Sequence, residues 1–293
     1  MKKLYLLLIC LSITAVSCTK DFEQMNENWK SPKGTDIGPL FNGLISSLQL
    51  TWDEQFYLSN EVFYPETELG ALISDGWGNT SIGTEAVWSN YYYALANVRD
   101  LESRFDELCG ESNDTAICDL ARAQVIILKA YKTFKVTDIF GDIPYTQAGR
   151  IWQPENASVN YRRPKFDTQE SIYKSLLNEL VWARDVLSNA TEQTPSGNDY
   201  LSLSSFDPLM YGSLAKWAKF ANSLILRHGL RCYHKDPEFA TPLLAEAFHM
   251  PIIDDIDGVC MWPSKLGYEN TSVSWSFREH KNLRMGETIW ENM

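Results

Sequence analysis

No cluster of lysine and arginine occurs anywhere in these 293 residues, and the formal charge is −12. Phosphate backbones are held by grouped cations, so nucleic acid is excluded as a partner. Cysteine is scarce, with six residues and no pair in CxxC spacing, which removes zinc-ribbon and dithiol redox chemistry. The four histidines, His228, His234, His249 and His280, show no HExxH or other paired ligand spacing, so no zinc site is expected. Neither a GxSxG elbow nor a GxxxxGK[ST] loop is present. "IIDDIDG" has the look of a calcium loop, but Ile253 stands where its first aspartate belongs and Ser264 where its closing glutamate belongs. No metal and no cofactor is expected. Apolar runs are short as well: the longest at the start, Leu4 to Leu11, cannot span a bilayer.

What that first run does have is context. Lys2 and Lys3 precede it, small residues through Ser17 follow it, and Cys18 comes next. Charged, apolar and small-residue regions in this order form an export signal, and a cysteine directly after the cut resembles a bacterial lipoprotein signal. Residues 1–17 are therefore expected to be a signal peptide and Cys18 the lipidated first residue. Residues 18–36, polar and acidic, then form a tether to a helical domain over 37–293. Several acyl chains at about 0.8 kcal/mol per buried methylene would hold such a protein on a membrane. Of the later cysteines, Cys109 and Cys118 bracket a polar loop, which leaves a disulfide and two free thiols equally open.

Past the tether, apolar residues recur at helical spacing and no strand-like alternation of any length is visible. One stripe is Ile37, Phe41, Leu44 and Leu48; a second is Trp88, Tyr91, Leu95, Val98 and Phe105. A third runs from Ile117 through Leu120, Gln124, Ile127 and Tyr131 to Phe134, with small Ala121, Ala123 and Ala130 for close helix approach. Asp167 with Glu170 reads as a capping box opening a fourth stripe, Ile172, Tyr173, Leu176, Leu180, Ala183 and Leu187. Asp207-Pro208 reads as another N-cap, leading to Leu214, Trp217, Ala221 and Leu224. From Phe239 onward the pattern weakens to loop or short extended pieces, with no closing helix expected. The fold class is thus all-α, predominantly: tetratricopeptide-like helix pairs with long inserted loops and no visible 34-residue consensus.

Three blocks carry a family resemblance. "ARAQVIILKAYKTFKVTDIFGDIPYTQA", "RRPKFDTQESIYKSLLNELVWA" and "AKWAKFANSLILRHGLR" resemble the characteristic segments of the SusD/RagB family of nutrient-binding lipoproteins, most like its second SusD-like subfamily. Lys20-Asp21 after the cysteine resembles the family's surface-display signal. The resemblance implies a lipid-anchored protein on the outer face of the outer membrane, seated over a SusC-like TonB-dependent transporter and capturing a glycan or peptide ligand. Members of that family continue well past the length seen here, and whether 37–293 is the whole domain stays open.

Most motif residues have structural uses. Gly141 suits a positive-φ helix end before Pro144, with Phe140 and Tyr145 packing back. Trp217, Phe220 and Leu224 share a helical face and belong in a core, while Arg227 and Arg231 suit snorkelling or pairing with Asp138 or Asp142. Ligand contacts are sought instead in the glycine-containing stretch "FYPETELGALISDGWGNTSIGTEAVW". Aromatic rings stack on pyranose faces while amides and carboxylates bond hydroxyls, so Trp77, Asn79, Asp75 and Tyr64 are the candidate platform. The alternative use of Trp77 is to staple the loop to the body. Trp152 and Trp262 are further loop aromatics. Two other functions remain in view: a secreted helical glycan-degrading enzyme, whose two carboxylates no motif singles out, and a structural lid subunit without its own ligand.

Overall fold

The stripes are helix faces in the computed structural model, which describes residues 37–72, 80–111, 115–150, 162–190, 202–254 and 283–293. The chain divides into two units, Met1–Asp36 and Ile37–Met293, and all described residues belong to the second. Cys18 and the proposed tether lie outside the described residues, as do Trp152 and Trp262.

Helix α1 (Ile37–Ser46) is followed by a ten-residue π-helix (Glu54–Phe63), the short α2 (Tyr64–Glu66) and strand β1 (Gly70–Leu72). Helices α3 (Thr80–Glu111) and α4 (Thr115–Phe140) form a long hairpin, closed by a disulfide between Cys109 and Cys118. Strands β2 (Ile143–Pro144) and β3 (Phe166–Asp167) lead to α5 (Gln169–Ser188), then α6 (Leu214–Cys232) and α7 (Pro237–Ala247). Strand β4 (Leu283–Met285) and α8 (Glu287–Asn292) follow. Among the described residues no helix is long and apolar enough to cross a membrane.

Successive helices pack in antiparallel pairs, the arrangement expected of a degenerate tetratricopeptide-like array. Tyr91 of α3 donates to Thr133 of α4 at 3.2 Å, Phe134 of α4 meets Tyr173 of α5 edge-on, and Tyr173 meets His228 of α6. The small residues act as anticipated, with Ala121, Ala123 and Ala130 buried on α4. Trp217 is fully buried, 6.0 Å from Phe41 between ring centres, so it ties α6 to α1. Gly141 has φ of +74° and its N–H donates to Thr137, ending α4 in the left-handed turn that glycine adopts at little steric cost.

Strand β1 pairs with β4 and β2 with β3, both antiparallel and too short to show alternation. Four expectations are corrected. Thr168, not Asp167, caps α5, its hydroxyl accepting from the Ser171 N–H. Asp167 is drawn away because its carboxylate accepts from the Tyr145 and Thr146 N–H groups across the ribbon. Asp207-Pro208 opens a turn rather than a helix; the buried Asp207 carboxylate accepts from Leu209, Met210 and Gly212 N–H groups and from the Trp217 indole, and Ser213 caps α6. The region after residue 236 holds α7, capped by Asp236 with Pro237 in its first turn, and the final stretch ends in α8.

One glycine in α3 records a close approach. A Cβ on Gly83 would sit 2.9 Å from Leu58 Cβ and 3.0 Å from the Leu58 backbone nitrogen, so the π-helix lies directly on α3. Alanine in a helix interior is worth about 1 kcal/mol more than glycine, while forcing apart a packed backbone costs about 1–3 kcal/mol. Backbone cannot rotate away, so the clash is expected to win, and Gly83→Ala should lower stability by about 1–2 kcal/mol in urea unfolding. A stabilised mutant would show that the two helices separate freely.

Candidate functional site

The π-helix, the C-terminal half of α4 and the C-terminal half of α6 enclose a groove of about 640 Å³, within the size range of small-ligand sites. Its rim is apolar and exposed at Leu50 and Phe63, with Tyr131 deeper. Its charged side chains are Glu54 from the π-helix, Lys135 and Asp138 from α4, and Arg227 and Arg231 from α6.

The charges are arranged asymmetrically. Glu54, its side chain only 3% exposed, accepts from the Thr51 N–H, from Asn90 and from Lys135 at 3.0 Å. Burial alone would raise its carboxyl, yet Lys135 and the Thr51 bond offset this and hold it below the ordinary value. Asp138 accepts from the Tyr173 hydroxyl and pairs with Arg231 at 2.7 Å. Of the two arginines expected to find carboxylates, Arg231 therefore does and the exposed Arg227 finds none among the described residues, while Asp142 instead accepts from the Gln169 N–H. His228 lies buried at the groove floor, stacked on Phe134 at 3.8 Å, and its Nδ1 has no hydrogen-bond partner among the described residues. Burial, aided by Arg227 and Arg231, pushes its pKa down to about 3, so the ring is neutral at physiological pH.

Of the four residues proposed from sequence as the ligand platform, only Tyr64 is described, and it is half-buried in α2 rather than in a loop. Asp75, Trp77 and Asn79 lie outside the described residues. Tyr64 itself directly follows the groove's rim residue Phe63. Sequence reasoning missed Glu54, Lys135 and His228. Only α6 periodicity, which puts His228 one turn after Leu224, offered a signal, and that signal says core.

A second cavity of about 830 Å³ lies at the opposite end of the α4–α6 seam, with Arg184 and Asn222 in its wall. Ala190 and Ser202 at its edge flank residues 191–201, which are outside the described set. No cluster of His, Cys, Asp and Glu among the described residues is suited to hold a metal.

Comparison with known proteins follows the fold. A solved chitin-binding protein is 21% identical with a TM-score of 0.66, the match covering 87% of this chain and 52% of that one. A chitin-binding SusD homologue from Flavobacterium johnsoniae is 19% identical, with a TM-score of 0.58 and coverage of 84% and 48%. A SusD-like protein from Bacteroides thetaiotaomicron VPI-5482 is 16% identical, with a TM-score of 0.63 and coverage of 85% and 49%. At these identities the likeness is one of fold, and this chain spans about half the length of the solved structures it matches. No match was found among curated proteins. The SusD-like family model described as starch-binding and associating with the outer membrane matches residues 76–293, most of the chain, and the protein therefore belongs to the SusD-like family.

Proposed function

We propose that the protein is a non-enzymatic glycan-capture component of outer-membrane nutrient uptake. It is held by a lipid on Cys18, faces the cell exterior and passes its ligand to a SusC-like TonB-dependent transporter. Family membership supports the uptake role. The observation that carries the binding reading is the groove itself: an exposed aromatic rim at Phe63 beside polar side chains in a concavity of about 640 Å³. Rings that stack on sugar faces and groups that bond hydroxyls are the two elements a saccharide site needs. Trp77 supplies the platform in this reading and Phe63 the adjoining wall.

The test uses malto- and chito-oligosaccharides with calorimetric titration. Binding without new reducing ends supports capture, whereas their steady release would overturn it in favour of hydrolysis. Trp77→Ala should lose about 1–3 kcal/mol of affinity with an unchanged melting temperature, as removal of a stacking ring does. Preserved affinity with a lowered melting temperature would instead make Trp77 a staple and remove the loop from the site.

A further inference from the structure

We propose that the groove selects an anionic oligosaccharide, one bearing carboxylate or sulfate groups, an inference that rests on the groove being the binding site. The argument begins with which charges a ligand can reach. Both acids in the lining are spent inward: Glu54 is saturated by Thr51, Asn90 and Lys135, and Asp138 by Tyr173 and Arg231. The cations are the groups left facing solvent. Lys135 keeps 30% of its side chain exposed and Arg231 49%, and Arg227 is exposed with no carboxylate partner among the described residues. A concavity whose reachable charge is positive stands out on a chain of net charge −12. Low-dielectric walls focus that field onto whatever enters.

The chemistry of the individual groups agrees. A guanidinium presents a planar fork that matches a carboxylate or sulfate with two parallel hydrogen bonds, and Arg227 has no carboxylate partner for its fork among the described residues. The rim ring of Phe63 offers an apolar face to the sugar carrying the anion. Neutral glycans would engage Phe63 and leave Arg227 idle.

The probes are tetragalacturonate, its fully methyl-esterified form, which keeps the skeleton and removes the charge, and a sulfated oligosaccharide of equal length. Titrations on the full chain at low and moderate salt should show the acid, the sulfated probe or both binding at least tenfold more tightly than the ester, with affinity falling as salt rises. Arg227→Gln, a surface change whose folding is checked by its melting temperature, should erase most of that preference. Equal binding of acid and ester, insensitive to Arg227→Gln but abolished by Phe63→Ala, overturns anion selection and leaves the groove as the site. Anion binding unaffected by Arg227→Gln and Phe63→Ala overturns the groove reading as well. No binding of any anionic probe at low salt overturns the proposal.

Discussion

Trp217→Ala is expected to destabilise the protein by about 3–5 kcal/mol, the range for removing a large aromatic side chain from a packed core. Two losses combine. The ring is fully buried against Phe41 and Phe220, so its deletion leaves a cavity where α1 meets α6. Its indole N–H also donates to Asp207 Oδ2 at 2.8 Å, within the four-donor cage that shapes the turn before α6. Trp217→Phe separates them: most of the ring remains, and the cost should fall to about 1–3 kcal/mol, the penalty for depriving a buried acceptor of a donor. Thermal and urea unfolding of both variants measure this. An unchanged midpoint in Trp217→Ala would mean that the ring packs on nothing.

Legibility from sequence followed the range of the interactions. Helices α4, α5 and α6 were readable because an apolar stripe with a 3.6-residue period is a local pattern, and it persists beside buried polar residues such as Lys129, Arg184 and Asn222. The π-helix was not readable, since its burial includes Glu54, Gln55 and Asn60, polar residues that sequence patterning assigns to a surface. Glu54 is tolerated there only because Asn90 and Lys135 reach it from 36 and 81 residues away. Helix α7 was missed for another reason: its buried face is mostly small, Ala240, Leu244 and Ala247, and Pro242 reads as a breaker. The Asp-Pro signal was applied at Asp207 when its true instance was Asp236-Pro237, and only tertiary donors such as the Trp217 indole distinguish the two.

The candidate site divides in the same way. Arg231 with Asp138 was foreseeable, because two motif blocks carried a guanidinium and a carboxylate with no other obvious use. That Arg231 meets a carboxylate while Arg227 meets none among the described residues depends on the register of α6 against α4, which no single-helix pattern encodes. His228 was read only as a histidine without ligand spacing, and neither its burial nor a ring nitrogen without a hydrogen-bond partner among the described residues is encoded by such spacing.

The other large effect is expected at Lys129, in the middle of the helix array. Its ammonium, 7% exposed, lies 3.1 Å from Glu102 on α3 and 2.6 Å from Glu179 on α5, while Arg99 and Arg150 hold the far side of Glu102. Lys129→Met takes from Glu179 the cation paired with it here and leaves Glu102 with only Arg99 and Arg150, and is expected to cost about 3–5 kcal/mol at neutral pH. The pH dependence identifies the cause. Burial alone would raise the Glu102 carboxyl, but Lys129 and Arg99 outweigh it and bring its pKa down to about 2, from an ordinary 4.5. A depressed carboxyl contributes stability that is complete above pH 4.5 and is lost as pH falls toward 2. Without Lys129 the Glu102 carboxyl shifts upward, so less of this stability is present in the variant to be lost in acid. The stability difference between native protein and Lys129→Met should therefore narrow between pH 4.5 and pH 2 in urea unfolding. A difference that stayed constant over that range would assign the loss to packing of the lysine stem, and the network would then be a solvated arrangement of charges contributing little to how α3, α4 and α5 are held together.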